Sequence, residues 1–484
     1  MKNILFKKYL VFAMILFGVL FFARSSWAAT YYVRTDGHDT NCNGLADYSV
    51  SHGNPCAFLT VKKGVNTATA AGDTVTIHAG GYTGEGTIVS AANGSSGNLI
   101  TVQGYPGETV SLTNIKITHN YNKFDHFTLT LPGTSCDGSQ AAMILGGNNN
   151  IVSNCYVYGT PVDSCNTKCP IGVLFDGGSY NTVLGNTFEG YFTYIFAMHG
   201  ANNTIQNNTI KNIIDIERIF DALFVSSSIT DGTIITGNEI YNYTSPQTIC
   251  SNHPDIIQVV DQGGLSSAKN WVITNNYFHD STASISENGA GARTTGWNIR
   301  NNVFANIRDA ANFVTPNTVI QNNTFFQVAL TQAGVMSVSN NTAEIRNNVI
   351  IGAIAGPTHG MIDIQGGATP TLGYNFFSLP KANGYGTRDS TAFNAIKGTG
   401  SINGGDPKFV AAYDNCITSA CDFKLQADSL LKDMGATLTG FSTDKDGITR
   451  PQGSSWDIGA YEYAAAAPPP DTTPPSPPQN VSVS

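Results

Sequence analysis

The stretch "NNTIQNNTI" spans residues 202–210, and its isoleucines stand between asparagines. Asn fills helices and strands poorly and favours turns and left-handed corners. The same arrangement recurs in "NNNIVSNCYV" (148–157), "YNTVLGNTFE" (180–189), "GTIITGNEIY" (232–241), "NWVITNNYFH" (270–279), "GWNIRNNVFA" (296–305), "NTVIQNNTFF" (317–326), "AEIRNNVI" (343–350) and "TLGYNFF" (371–377). The last Asn of each unit falls at Asn154, Asn186, Asn208, Asn238, Asn276, Asn302, Asn323, Asn348 and Asn375, in steps of 21 to 38 residues. Repetition at this period signals a solenoid. The β-branched content and the missing 3.6-residue period exclude helical repeats, and the Leu pattern of leucine-rich repeats is absent. What remains is a β-solenoid with roughly three short strands per coil. Its corner asparagines are then structural: they tolerate the left-handed conformation and can hydrogen-bond from coil to coil.

Composition agrees. Of 484 residues only 12% are charged while 41% are hydrophobic, which is neither helical nor disordered. The N-terminus reads as an export signal: Lys2, Lys7 and Lys8 precede the apolar run "YLVFAMILFGVLFFA", and "SSWAA" offers cleavage after Ala28. Removing residues 1–28 takes away Lys2, Lys7, Lys8 and Arg24 and moves the formal net charge from −9 to −13. So acidic a chain, without a basic tract, argues against nucleic-acid binding. No later segment is apolar enough to span a membrane, and a monomer is expected.

All nine Cys lie after the signal. In an exported chain Cys42/Cys56 and Cys416/Cys421 are spaced for disulfides, and Cys136, Cys155, Cys165 and Cys169 can supply one or two more. The odd number leaves one over, assigned here to Cys250. Cys165 and Cys169 lack the second ligand pair a zinc site needs.

The repeat region resembles the right-handed parallel β-helix, the pectate-lyase-like fold. "YYVRTDGHDTNCNG" through "GDTVTIHAGGYTGE" (31–85) looks like the start of such helices, with a short amphipathic helix at about 61–71 capping the open end. "DFKLQADSLLKDMGA" through "DKDGITRPQGSSWDIGAYEY" (422–463) resembles the choice-of-anchor Q segment, which in exported bacterial proteins precedes varied anchors. The resemblance implies an all-β fold, a right-handed parallel β-helix of roughly 9–12 coils with a short N-terminal capping helix. The expected organisation is a signal peptide (1–28), a cap region (29–72), the β-helix (73–380), the choice-of-anchor Q-like segment (381–463), a Pro-rich linker (464–478) and the start of a fibronectin type III-like module (479–484).

This fold hosts many functions, and its enzymes, so the resemblance implies, cut acidic polysaccharides in a shallow groove along one sheet. Lyases take a proton from a uronate and neutralise its carboxylate, often through Ca²⁺ held by stacked Asp; hydrolases use two carboxylates. Two segments carry charge in the right pattern. Matching "DALFV" (221–225) to "DIIQV" (255–259) sets Asp221 over Asp255 and Phe224 over Gln258 on adjacent coils, about 4.8 Å apart, and "ASISENG" brings Glu287 near Gln258. His253, Asp255 and Gln258 form the leading candidate site. His253 is a candidate base, Asp221 and Asp255 candidate Ca²⁺ ligands, and Arg218, Arg293 or Lys269 partners for a substrate carboxylate. Against this, Asp before a strand often caps a turn, and strict alternation gives Asp255 the parity of core-facing Ile257 and Val259.

A second ladder stands three places after the corner Asn: Glu189, Lys211, Tyr241, His279, Ala305 and Phe326. It reads either as a sugar-binding face or as a solvated sheet, and His279 with Asp280 joins the candidate catalytic groups. "DTNCNGLADYSV" (39–50) places Asp39, Asn41, Asn43, Gly44 and Asp47 like a calcium loop, but Val50 replaces its final carboxylate. No nucleotide loop, GxSxG elbow or HExxH appears. The leading expectation is an exported, Ca²⁺-dependent lyase-like enzyme on an acidic glycan. The alternatives are a non-catalytic adhesive surface protein and a glycoside hydrolase using Asp221, Asp255 and Glu287.

Overall fold

The computed structural model describes residues 28–465 apart from 132–140, 161–170, 215–220, 227, 245–254, 261–265, 282–283, 288–292, 308–310, 314, 329–334, 339–341, 353–360, 365–367, 382–383 and 387–396. One coil shows the plan. Thr204–Gln206 lies in a first sheet (A), Thr209–Ile214 in a second (B) and Asp221–Ser226 in a third (C). The next coil repeats this with Ile234–Thr236, Glu239–Thr244 and Asp255–Val260, each strand parallel to its predecessor. Coil upon coil, the described residues build sheets of 13, 14 and 11 strands for A, B and C. With the right-handed crossover usual for parallel strands, this is a right-handed parallel β-helix.

The asparagine pairs divide the work of the corner between sheets A and B. The first takes the left-handed conformation: φ is 53° at Asn207, 60° at Asn275, 54° at Asn301 and 52° at Asn322. The second turns inward. Asn186, Asn208, Asn238, Asn276, Asn302, Asn323 and Asn348 are buried, and each backbone N–H donates to the Oδ1 of the next Asn at 2.9 Å. Each Nδ2 donates back to a carbonyl of the preceding coil, as Asn208 does to Val183 at 2.9 Å. The fit saturates a buried amide that otherwise costs free energy. One expectation shifts by a residue: Asn154 occupies the left-handed corner (φ 53°), and Cys155 holds the ladder position, its N–H donating to Asn186 Oδ1 at 2.9 Å. Cys155 is therefore a buried free thiol, not a disulfide partner. Cys136, Cys165, Cys169 and Cys250 lie outside the described residues.

A shorter Asn ladder precedes sheet A: Asn122, Asn150 and Asn181 each donate N–H to the next, at 2.8, 2.9 and 2.9 Å, ending on Asn203. Further along, Trp271 and Trp297 stack with centroids 5.1 Å apart, their Nε1 donating to the Thr230 and Ala268 carbonyls. Inside the coils, apolar residues at matching register stack, as in the column Phe278, Phe304 and Phe325.

At the N-terminal end the helix Val61–Thr67 buries Val61 and Val65. Thr60 Oγ1 caps it from Lys63 N, and Glu85 accepts the N–H groups of Val61 and Lys62, the placement a helix N-terminus favours. Gly64 lets it approach closely, because a Cβ there would lie 2.8 Å from Val33 and Val75 side chains. Cys42–Cys56 is a disulfide. Asp39, first residue of the calcium-like loop, spends its carboxylate on Leu59 N, Thr60 N and Thr60 Oγ1, and Asp47 meets Arg34 and His78, so the loop is a tied turn.

At the other end, residues 405–463 cover the outer face of sheet B. Phe409, Phe423, Leu425, Leu431 and Ile458 pack on Val303, Ala305, Phe326, Val349 and Ile351. The antiparallel pair Phe409–Ala411 and Asp422–Leu425 and the disulfide Cys416–Cys421 shape this segment. Inside it Arg450 and Glu462, both fully buried, form an ion pair at 2.7 Å. No helix among the described residues is long and apolar enough to cross a membrane.

Candidate functional site

The register in sheet C matches the sequence reading: Asp221 is the Cα partner of Asp255, and Phe224 of Gln258. Alternation, however, does not run strictly through these strands. Ile256 and Ile257 both belong to the main core, as do Ala222 and Leu223 one coil earlier. The chain thus spends two consecutive residues inward, and Asp255 and Gln258 come to the same side, where Gln258 Nε2 donates to Asp255 Oδ2 at 3.1 Å. That side is the outer one. Residues at the same two register columns on earlier coils, Ala141, Ile171 and Tyr194 in one and Ile144, Leu174 and Ala197 in the other, form a cluster separate from the core. Asp255 does not share the facing of Ile257, so the core-parity reading fails.

Both groups are nevertheless buried, Asp255 being 3% and Gln258 2% exposed, and Gln258 Oε1 has no hydrogen-bond partner among the described residues. Beside them along the same face Tyr194 and Phe224 stack, with centroids 4.4 Å apart and planes 5° from parallel. A carboxylate, an amide with a buried, unpartnered acceptor and a flat aromatic pair are groups of the kinds that recognise a sugar's hydroxyls and its C–H face. Tyr194 was missed in sequence; aligning "YIFAMH" on "DALFVS" at strand register would have found it, since Tyr194 pairs with Asp221.

Other candidates fall elsewhere. Glu287 pairs with Val259, and Gln258 pairs with Ser286, because the register shifts between Asp255 and Ile257; Glu287 therefore stands one residue further along than expected. His253 and Arg218 lie outside the described residues. Lys269 and Arg293 sit on a separate two-stranded ribbon, Ser267–Lys269 with Arg293–Thr295.

His279 is not beside Asp255: it lies on sheet B. The predicted ladder is present there, running Glu189, Lys211, Tyr241, His279, Ala305 and Phe326 by Cα register. Its first members are half-exposed, while Ala305 and Phe326 lie beneath the C-terminal segment. His279 sits at the rim, sandwiched between Tyr241 and Tyr277 at 4.9 and 4.1 Å. Its Nδ1 meets Asp280 Oδ2 at 2.7 Å and its Nε2 meets Glu239 Oε1 at 3.4 Å. Burial works against its charge, but these two carboxylates prevail and hold the imidazole above its ordinary value. Asp280 also accepts Cys416 N at 2.9 Å, so the arrangement fastens the C-terminal segment to the coil.

The donor set at Asp255 suits a hard cation in kind, since carboxylate and amide oxygens are what Ca²⁺ takes. Among the described residues no group of three or more His, Cys, Asp or Glu is placed to hold a metal. Were calcium held there, Asp255 and Gln258 Oε1 are the oxygens that would take it, and Asp221 is the Cα register partner of Asp255 on the preceding coil.

No protein-family model and no curated protein sequence matches the chain. Among solved structures it resembles pectate lyase Pel9A at 16% identity and a TM-score of 0.50, over 91% of this chain and 97% of that one. It also resembles XylC, solved in complex with xylose, at 11% identity and a TM-score of 0.56, over 90% of this chain and 98% of that one. At such identities the likeness establishes the β-helix fold.

Proposed function

We propose that the chain is an exported enzyme that cleaves an acidic polysaccharide by a lyase-like, Ca²⁺-assisted reaction on the outer face of sheet C. The observation that carries the reading is the register of Asp221 and Asp255 on adjacent coils, next to Gln258 and the Tyr194–Phe224 stack. Two carboxylates at strand spacing repel unless a cation or a proton lies between them. A divalent cation held by Asp255 and Gln258 Oε1 would supply positive charge to offset the repulsion between an acidic protein and a polyanion and to neutralise the substrate carboxylate. His253 takes the proton beside that carboxylate in this reading, Arg218 pairs with a substrate carboxylate, and the aromatic pair receives a neighbouring sugar ring. The functions of the solved neighbours, a pectate lyase and a xylose-binding XylC, support a glycan as the substrate class. Export is supported by the N-terminal sequence and the two disulfides.

The test is a panel of acidic polysaccharides incubated with the chain lacking residues 1–28, with and without Ca²⁺, followed by ultraviolet absorbance. A lyase produces an unsaturated uronide and a rise in absorbance that a chelator stops. New reducing ends without absorbance would make it a hydrolase, and binding without either product an adhesive protein.

A further inference from the structure

Three left-handed asparagines at the corner between sheets A and B are committed to the C-terminal segment. Asn301 Nδ2 donates to the Thr443 carbonyl at 2.9 Å, Asn322 Nδ2 to those of Asp457 and Gly459 at 3.0 and 3.1 Å, and Asn347 Nδ2 to that of Ala436 at 2.8 Å. Asn275, their equivalent one coil earlier, differs: its Oδ1 is buried and has no hydrogen-bond partner among the described residues. It borders a cavity of about 460 Å³ between the outer face of sheet A and residues 440–443.

Arg300 lines the same cavity. It is the Cα partner of Thr274 in sheet A, and its guanidinium lies 4.7 Å from the centroid of the Phe441 ring. Arg34, Arg346 and Arg450 each meet a carboxylate, at 2.8, 3.4 and 2.7 Å. The Arg300 side chain makes no hydrogen bond or ion pair among the described residues, and its Nε is buried. Burial presses its pKa down, with only the more distant charge of Glu344 opposing. Gly440, at φ 88°, keeps room for it, because a Cβ there would lie 3.0 Å from Arg300 Nη1. A partly buried cation without an anion is costly, and so is a buried acceptor without a donor. Together they describe a ligand that brings both missing groups.

We propose that this cavity binds a carboxylated saccharide, one hexuronate unit, with its carboxylate on Arg300 and a ring hydroxyl donating to Asn275 Oδ1. Guanidinium matches the two oxygens of a carboxylate. A sulfate would satisfy Arg300 but brings no hydroxyl for Asn275. Thr274, Asn298 and Thr443 add polar contacts along the wall, and Phe441 supplies an aromatic surface. The volume falls within the range of small-ligand sites, roughly 300–1,000 Å³. The site is on sheet A, away from Asp255 on sheet C, so it holds a polymer without cutting it. It stands on its own residues and does not rest on catalysis at sheet C.

The experiment is calorimetric titration of the intact chain with D-galacturonate and D-glucuronate, with galactose as the neutral control. Uronate is expected to bind and galactose to bind more weakly. Arg300→Gln should weaken uronate binding about tenfold or more, as loss of a charge-assisted bond does. Asn275→Gly, which keeps the left-handed corner, should weaken it by a smaller factor, and Lys62→Gln, on the exposed side of the N-terminal helix, should leave it unchanged. Absence of uronate binding, or equal binding by Arg300→Gln and the unaltered chain, would overturn the proposal. So would binding lost in Asp255→Asn but kept in Arg300→Gln, which would assign the uronate to sheet C. Should Arg300→Gln unfold, Asn275→Gly and Phe441→Leu serve in its place, and unchanged binding in both overturns the site. A polysaccharide screen without product leaves this titration unaffected.

Discussion

Adjacent residues 275 and 276 should respond to substitution in opposite ways. Asn276 is fully buried and its side chain makes four hydrogen bonds. Its Oδ1 accepts from Asn238 N and Nδ2, and its Nδ2 donates to the Ile235 carbonyl and Asn302 Oδ1. Asn276→Ala removes all four and leaves the Asn238 N–H with no partner. At about 1 kcal/mol per buried bond, with more for an orphaned donor, the loss is about 3–5 kcal/mol. Asn275→Gly removes a side chain that makes no hydrogen bond among the described residues and keeps a backbone at φ 60° that glycine adopts freely. Its effect should stay within about 0.5 kcal/mol. Urea unfolding followed by circular dichroism gives both values, and native-state hydrogen exchange at Asn238 reads the orphaned amide directly, which matters because long repeat arrays can unfold in parts. Equal effects at 275 and 276, or a cost below about 1 kcal/mol for Asn276→Ala, would mean that the ladder does not hold the coils together.

Arg450→Ala should destabilise the C-terminal segment by about 3–5 kcal/mol, because Glu462 is left charged and buried; protease sensitivity of residues 405–463 reports it. His279 is held above its ordinary 6.5, so its stabilising charge is fully present below that pH and is lost as pH rises through the raised folded value. A melting-temperature profile should therefore fall with rising pH in that window, and His279→Gln should flatten it; an unchanged slope counts against the clamp. Burial pushes the Cys155 thiol up to about 12, so iodoacetamide followed by peptide mapping should leave Cys155 unmodified until the chain is unfolded.

The fold was legible because its signal is local. "NNTIQNNTI" contains both Asn ladders and both left-handed corners within nine residues. The Asp221/Asp255 register was legible for the same reason, since equal strands can be matched by eye. What misled was the assumption of strict alternation, which Ile256 and Ile257 break by both facing the core. Asn154 was misplaced by one residue because Cys155 occupies the ladder without resembling its other members. The clamp at His279 and the Arg300 cavity were not legible, because Cys416 and Phe441 reach them from more than 130 residues away. Only the docking of the C-terminal segment brings them together.

The most direct measurement for the reading of sheet C is the rate of unsaturated-uronide formation, with Ca²⁺ affinity measured in parallel, in the unaltered chain, Asp221→Asn and Asp255→Asn. The expected result is a calcium-dependent product that both substitutions suppress, with weakened Ca²⁺ binding in each. Product formed at the unaltered rate by both variants, or no product from any uronate polymer, would contradict it and leave Asp255 and Gln258 as a structural pair on a binding face.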